Sequence, residues 1–177
     1  MPRLFFALRP DADERAALAG HAIEAARVAG GRAVPAQNLH LTLVFLGERP
    51  LSLLPALEEA AAGVRAQAFV LPIDVIDTWR KPGIAWAGPG TMPSALRALQ
   101  GDLARALERI GIPPEERPYA AHVTLARKAR LAYSRALVPP LSWKVRDFVL
   151  FVSESTPSGV AYRSLACWPL RITATSG

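Results

Sequence analysis

Apolar and polar positions follow two different periods along the chain, and each change of period marks a predicted element. Short apolar runs typical of strands occur at RLFFAL, NLHLTLVFLG, FVLPIDVID and IAWAG. Longer segments with helical spacing separate them: DADERAALAGHAIEAARVAG, SLLPALEEAAAGVRA and PSALRALQGDLARALERIG. Asp11, with Glu14 three residues later, predicts a capping box at the start of the first helix.

The C-terminal part of the chain is predicted to be mostly strand. One strand is predicted at PYAAHVTLARK and a loop at SRALVPPLSW. An antiparallel pair of strands is predicted at KVRDFVLFVSES and VAYRSLACWPLR. The predicted order is strand, helix, strand, helix, two strands, helix and three strands. This order lacks the regular βαβ alternation of a doubly wound sheet and favours an α+β fold. We expect one domain over residues 1–177, built as two pseudo-symmetric lobes of antiparallel sheet with helices outside.

Two of the predicted strands carry the same polar interruption. NLHLTLVFLG has His40 two residues before Thr42, and AAHVTLARKA has His122 two residues before Thr124. Because side chains alternate along a strand, each histidine shares a face with its threonine, and apolar residues occupy the other face. The same alternation adds one further residue to each of these faces: Val44 and Ala126. A single His-x-Thr is a weak signal, but its presence at two of the three histidines is informative.

Charge and composition indicate the kind of binding partner and the cellular location to expect. The chain has 177 residues with 21 Lys+Arg against 15 Asp+Glu, and this net charge of +6 favours an anionic partner such as nucleic acid. The single cysteine, Cys167, excludes an internal disulfide framework and is expected to be buried. The N-terminal segment lacks the pattern of a signal peptide, and nowhere do eighteen apolar residues follow one another. We therefore expect a cytoplasmic protein without a membrane segment.

Two histidines that face each other across a cleft have three chemical interpretations: zinc ligands, an acid/base pair or part of a nucleophilic site. Neither strand supplies further zinc ligands, and the chain has no G-x-S-x-G motif. An acid/base pair fits best, because an imidazole pKa of about 6.5 allows proton uptake and release near neutrality. The threonine hydroxyls could donate hydrogen bonds to a phosphate undergoing in-line displacement. A ribose 2′,3′-cyclic phosphodiester suits such chemistry, and we predict neither metal nor cofactor.

These residues together resemble the LigT-like RNA 2′,3′-cyclic phosphodiesterases, also called 2′-5′ RNA ligases, of the two-histidine phosphoesterases. The resemblance extends over nearly the whole chain, through RLFFAL, NLHLTLVFLGE, IAWAG, RPYAAHVTLAR and the terminal VLFVSES and YRSLACWPL. It implies a bilobal fold with a positively charged cleft. It also implies metal-independent hydrolysis of RNA 2′,3′-cyclic phosphate ends to 2′-phosphates, with 2′-5′ ligation without ATP as the reverse reaction. One departure is Ala121, where many members have proline.

The resemblance also assigns roles to individual residues. It implies that His40 and His122 are the catalytic pair, that Thr42 and Thr124 bind the phosphate, and that Arg127 binds substrate. It favours His122 as base on water and His40 as acid on the ribose 3′ oxygen, although the near-symmetric motifs leave these two roles open. The implied partner is RNA with cyclic phosphate ends, tRNA fragments among them, and the implied state is a monomer.

Two alternative functions stay open at this point. One is a protein that binds RNA ends without catalysis, and the other is a phosphodiesterase for a small nucleotide such as ADP-ribose cyclic phosphate. The segment containing Trp79, Arg80 and Lys81 is predicted to be a loop that either stacks a base and contacts phosphate or is plain surface. Tyr119 is expected to be a core aromatic, and His21 a helix residue without a catalytic role.

Overall fold

The described part of the chain, residues 1–172 of a computed structural model, contains three α-helices, two short 3₁₀ helices and nine strands. The α-helices are α1 (Ala12–Ala29), α2 (Leu54–Ala62) and α3 (Ser94–Arg109). The strands are β1 (Arg3–Leu8), β2 (Arg32–Ala33), β3 (Leu41–Glu48), β4 (Phe69–Trp79), β5 (Ile84–Gly88), β6 (Val123–Arg127), β7 (Arg135–Val145), β8 (Asp147–Thr156) and β9 (Gly159–Pro169). None of the helices within residues 1–172 is long and apolar enough to cross a membrane.

The strands form one antiparallel sheet with two halves. Hydrogen-bonded neighbours follow the order β7-β4-β5-β6-β3-β1-β8-β9, and β2 pairs with β6. Strands β3 and β6 are joined by one residue pair, Leu41 with Val123. The halves β7-β4-β5-β6 and β3-β1-β8-β9 therefore meet at a narrow seam, and each half contributes one His-x-Thr strand. This arrangement confirms the predicted α+β architecture.

A shared apolar core lies between the sheet and the helices. Helix α1 packs on β6, whereas α2 and α3 pack together and contact β9 and β3 respectively. Leu41, Val123 and Phe6 are fully buried in this core, and burial of each such side chain is worth roughly 1.5–3 kcal/mol. The predicted capping box is present at α1, where Asp11 Oδ1 accepts from Glu14 N at 2.8 Å and Glu14 Oε1 from Asp11 N at 3.3 Å.

The prediction of a loop at SRALVPPLSW was wrong, because most of this segment lies in strand β7. This segment belongs to an edge strand that pairs only with β4, and Pro139 and Pro140 lie between the paired residues Ala136 and Leu141, where the register shifts. An edge strand tolerates proline because the missing N–H has no partner strand on that side. The expectation of a buried Cys167 was also wrong, because the residue is exposed in β9, the other edge strand, with Arg9 Nη2 3.6 Å from its sulfur.

Irregular pairing between β1 and β3 changes which side chains of β3 face the cleft. Phe5 lies opposite Phe45 and Phe6 opposite Val44, with register shifts on both sides of these pairs. Val44 consequently packs against the core, and Phe45 lies on the open face, where it is 48% exposed. The prediction that Val44 shares the histidine face was wrong, because a bulge breaks the strict alternation of a strand.

Candidate active site

The two motifs come together at the seam between the halves of the sheet. Leu41 pairs with Val123, and extending this antiparallel register by one residue each way puts Thr42 opposite His122 and His40 opposite Thr124. Residues directly opposite each other have Cβ atoms about 4.5–5.5 Å apart. The two histidines therefore occupy one diagonal of a small four-residue site, and the two threonines occupy the other.

Both imidazole rings are held by a backbone carbonyl two residues earlier in the chain. His40 Nδ1 lies 2.7 Å from Asn38 O, and His122 Nδ1 lies 2.8 Å from Ala120 O. A carbonyl only accepts, so Nδ1 carries the proton in each ring, and Nε2 of the neutral ring is an acceptor. His40 Nε2 lies 3.1 Å from Thr42 Oγ1. Each ring can thus take up a proton at Nε2 and later return it.

His40 is enclosed by residues that the sequence did not identify. The ring centroids of Phe5 and Tyr162 both lie 5.0 Å from that of His40, with Tyr162 edge-on. Asn38, which is buried, donates from Nδ2 to Val160 O at 2.8 Å and so ties the segment before His40 to the β8–β9 hairpin. Only Asn38 left a signal in the sequence, as a polar residue two positions before the histidine.

His122 has a different aromatic neighbourhood. The Trp79 ring centroid lies 4.6 Å from that of His122 and 5.1 Å from that of Trp86. Trp79 is the last residue of β4, so the segment predicted to be a loop begins one residue later, where Arg80 and Lys81 are exposed in the turn to β5. Trp79 therefore lies beside His122, while the stacking of a base on this segment and its contact with phosphate stay predictions.

Tyr119 links the two motif strands. Its hydroxyl donates to Thr42 O at 2.9 Å, from a position three residues before His122. The ring packs against the core, as predicted. Burial raises the pKa of Tyr119 far above its ordinary value of 10, so the hydroxyl keeps its proton and acts as a donor. This bond connects the backbone of the first motif to the segment that leads into the second.

A bulge in β6 turns Arg127 towards the site. Trp86 pairs with Thr124, and Ile84, two residues before it on β5, pairs with Arg127 after a register shift. Because paired residues share a face, Arg127 lies on the same face as Thr124, and Ala126 is fully buried on the other. The prediction that Ala126 accompanies Thr124 was therefore wrong.

The electrostatics of the site favour neutral histidines in the absence of an anion. Burial lowers the pKa of His40 and of His122 below the ordinary 6.5, and the positive charge of Arg127 lowers both further. The hydrogen bonds from Nδ1 act in the opposite direction, and His122 adds a smaller lowering effect on His40. An anion bound between the rings would raise both pKa values, since a nearby negative charge favours the protonated form.

Other potential sites are less well supported within the described residues. No group of three or more His, Cys, Asp or Glu side chains in residues 1–172 is placed to hold a metal ion. His21 lies half-buried on α1, where Glu24 and Arg135 are its charged neighbours, in agreement with the expected helix residue.

Comparison with known proteins gives consistent matches over most of the chain. The sequence model of the 2′-5′ RNA ligase superfamily matches residues 13–157. The RNA 2′,3′-cyclic phosphodiesterase of Escherichia coli is 33% identical over 95% of this chain and 96% of that protein. The protein of the same name from Thermus thermophilus is 34% identical over 96% of this chain and 90% of that protein.

Solved structures agree with these sequence matches. E. coli LigT complexed with 3′-AMP superposes with a TM-score of 0.84 at 32% identity, covering 96% of this chain and 99% of that chain. E. coli LigT complexed with phosphate superposes with a TM-score of 0.81 at 31% identity, covering 96% and 98%.

Proposed function

The chain belongs to the 2′-5′ RNA ligase superfamily, and on this basis we propose that it is an RNA 2′,3′-cyclic phosphodiesterase. It opens the cyclic phosphodiester at an RNA 3′ end and leaves a 2′-phosphate beside a free 3′-hydroxyl. The structural observation that carries the proposal is the Leu41–Val123 pair, because this register brings two His-x-Thr motifs to one seam. The relatives of that name, matched along nearly their whole length, support the same substrate class.

The two histidines act as base and acid on opposite sides of the phosphorus. His122 Nε2 takes a proton from water while the water oxygen attacks phosphorus, the bond to the ribose 3′ oxygen breaks, and protonated His40 Nε2 delivers a proton to that oxygen. No hydrogen bond to Nε2 of His122 is present within residues 1–172, which supports its role as base, whereas Nε2 of His40 lies within hydrogen-bond distance of Thr42. The bound phosphodiester raises the pKa of His40, so that this ring is charged when it is needed.

The remaining site residues stabilise charge on the phosphate. The hydroxyls of Thr42 and Thr124 occupy the second diagonal and donate to the non-bridging oxygens. Arg127, whose charge acts on both histidines, attracts the anion into the seam. Donors aimed at charge that develops in the transition state are each worth roughly 10²- to 10³-fold in turnover.

Ligation is the same ring opening with a different nucleophile. A 5′-hydroxyl of a second RNA can replace water beside His122, and attack on the cyclic phosphate then forms a 2′-5′ linkage without ATP. The strained ring supplies the free energy that ATP supplies in ATP-dependent ligation. The tRNA-fragment substrate, the monomeric state, the single bilobal domain and the cytoplasmic location stay predictions.

Product analysis tests the proposed function. Purified protein is incubated with an oligoribonucleotide that ends in a 2′,3′-cyclic phosphate, with EDTA present, and the product is identified by ³¹P NMR and mass. We expect the 2′-phosphate, formed at the same rate with and without EDTA. Mainly 3′-phosphate would overturn the positions of acid and base. Tight binding without turnover would favour the RNA-binding alternative, and turnover of ADP-ribose cyclic phosphate alone would favour the small-nucleotide alternative.

A further inference from the structure

Asn38 makes two hydrogen bonds that together connect His40 to an edge of the sheet. Its backbone oxygen accepts from Nδ1 of His40 at 2.7 Å, and its side-chain Nδ2 donates to Val160 O at 2.8 Å. Val160 lies in β9, 122 positions later in the chain. Asn38 itself is buried, with 8% of its surface exposed. One residue therefore joins the imidazole ring of the first motif to a strand from the other end of the sequence.

Sheet hydrogen bonds do not set the position of the Asn38 carbonyl. Strand β3 begins at Leu41, and Asn38 ends a short 3₁₀ helix, Ala36–Asn38, that precedes this strand and packs on α1. Asn38 N donates to Pro35 O at 2.9 Å, which fixes the shape of this turn but not its place beside the site. The hydrogen bond from the turn to another strand comes from the Asn38 side chain. That side chain therefore supplies the directional contact that fixes the carbonyl.

Strand β9 brings two groups to the first motif at once. Tyr162, two residues after Val160, lies edge-on to the His40 ring with a centroid distance of 5.0 Å. Neighbouring strands are about 4.8 Å apart, so in a flat sheet β9 would lie roughly 14 Å from β3, three strands away. The bond to Val160 O and the Tyr162 contact show that the β8–β9 hairpin leans over the start of β3 instead. Asn38 therefore links His40 to the strand that packs against its ring.

The Asn38 amide is used for its donor alone. Oδ1 of Asn38 is buried and has no hydrogen-bond partner in the described residues. Burying an acceptor without a partner is unfavourable, and an apolar side chain of similar size, such as leucine, would avoid this loss of stability. Leucine, however, could not donate to Val160 O. The polar residue therefore indicates a requirement for this one hydrogen bond rather than for packing.

The second motif holds its histidine in a different way. Nδ1 of His122 donates to Ala120 O at 2.8 Å, but alanine has no side-chain donor that could anchor this carbonyl. The segment before His122 is tied to the first motif by the Tyr119 hydroxyl instead. Of the two histidines, only His40 is held by a residue whose own side chain fixes the accepting carbonyl. This asymmetry predicts that a change at position 38 acts on one histidine and not on the other.

We propose that Asn38 is a positioning residue for His40: by anchoring its own carbonyl to β9, it keeps the proton of the neutral ring on Nδ1 and aims Nε2 at the leaving 3′ oxygen. A ring released from this carbonyl can turn about its broad terminal torsion and carry the proton on Nε2. Nε2 could then donate to Thr42 Oγ1, 3.1 Å away, and would be lost to the reaction. The role of Nε2 rests on the proposed function, whereas the tautomer of His40 can be measured without it.

The titration of His40 distinguishes this role from a purely structural one. Burial lowers the pKa of His40, and the hydrogen bond to Asn38 O acts against this by raising it. The other groups that face the ring stay in place when Asn38 is changed: Arg127, His122, Tyr162 and Phe5. Loss of the Asn38 contact should therefore lower the pKa of His40 further and leave the titration of His122 as it was.

The test compares Asn38→Ala with Gln100→Leu in the full chain. Gln100 also donates from a side-chain amide to a distant backbone carbonyl, Leu43 O at 3.3 Å, but it does so from α3. Proton–nitrogen NMR spectra of the ring nitrogens report the tautomer and the titration of each histidine. The values of kcat and KM for a cyclic-phosphate RNA are measured against pH. Asn38→Leu fills the same space without a donor and takes the place of the alanine variant if that variant does not fold.

We expect the Nδ1–H tautomer for both motif histidines in the wild type. In Asn38→Ala, His40 should populate the Nε2–H tautomer and titrate at a lower pH, while His122 is unchanged. The value of kcat should fall about 10- to 100-fold, since a misplacement of about 1 Å costs about 100-fold, and KM should stay near the wild-type value. The high-pH limb of kcat, which His40 sets as the acid, should move to lower pH without a shift of the low-pH limb. Gln100→Leu should lose only thermal stability.

The proposal is overturned if His40 keeps its wild-type tautomer and titration in a folded Asn38 variant. Equal changes at both histidines, or the same changes in Gln100→Leu, would overturn it too. If the wild-type protein does not hydrolyse the RNA, the proposed function fails, and the NMR spectra alone judge the positioning role. If the tautomer of His40 changes but the low-pH limb moves in place of the high-pH limb, Asn38 still positions His40, and the proposed acid and base roles are exchanged.

Discussion

Replacing Tyr119 with phenylalanine removes the hydrogen bond that joins the two motif strands. The Tyr119 hydroxyl donates to Thr42 O at 2.9 Å from a half-buried position, and the ring itself packs on the core. A neutral bond of this kind contributes about 1 kcal/mol net, and up to about 3 kcal/mol if the carbonyl is left without a partner. Each kcal/mol lowers the melting temperature of a chain of this size by about 2–4 °C.

The same substitution should slow catalysis, because Thr42 and the segment before His122 lose their link. We expect a several-fold decrease in kcat, below the roughly 100-fold effect of a 1 Å misplacement. Thermal unfolding and single-turnover kinetics measure the two effects. Tyr133→Phe is the matched control, since its buried hydroxyl contacts the Arg135 side chain and makes no hydrogen bond to either motif strand in the described residues, so the rate should not change. Wild-type stability and rate in Tyr119→Phe would refute this account of the seam.

Three further predictions concern the donors, the histidines and the backbone behind the site. Thr42→Ala and Thr124→Ala should each lower kcat by about 100- to 1000-fold, whereas serine at either position keeps a donor and most of the rate. Unchanged kinetics in both alanine variants would mean that the hydroxyls point elsewhere. Because the pKa of both motif histidines is lowered in the folded protein, the unfolded chain takes up protons first as the pH falls below about 6.5. Urea titrations should therefore show a free energy of unfolding that is highest above that pH and decreases as the pH falls, until the folded rings also protonate. A variant lacking both rings should show a weaker decrease. Gly31→Ala should lower the melting temperature more than Gly30→Ala, because a Cβ at Gly31 would clash with Arg127 O and one at Gly30 meets no atom within 4 Å. Similar melting temperatures of the two variants would contradict this.

Residue spacing along the chain correctly predicted the helices and strands that do not depend on contacts with distant residues. The capping box at Asp11 depends on residues three apart, and the strand IAWAG appears in the structure with the predicted bounds Ile84–Gly88. Strand β7 could not be predicted in this way, because its two prolines are tolerated where an edge strand is interrupted by an irregularity in its pairing with β4. The position of a strand within its sheet is a tertiary property that the local pattern does not contain.

The sequence predicted the His-x-Thr residues of the site but not the side chains that surround them. Alternation correctly put His40 beside Thr42, but bulges reversed the expected faces of Val44 and Ala126. The Phe5 and Tyr162 rings beside His40 come from β1 and β9, which are far apart in sequence. Their contribution depends on strand order, so no spacing rule along the chain could have identified them.

The most direct test of the central claim is the turnover of a 2′,3′-cyclic phosphate RNA by single and double histidine variants. His40→Ala and His122→Ala should each lose about 100- to 10000-fold in kcat, and the double variant should lose much less than the product of the two losses, because acid and base act as a unit. RNA binding should survive in all three, and His21→Ala should behave as wild type. The wild-type rate should be bell-shaped against pH. Near-normal turnover in either single variant, or activity that EDTA abolishes and zinc restores, would contradict the acid/base pair.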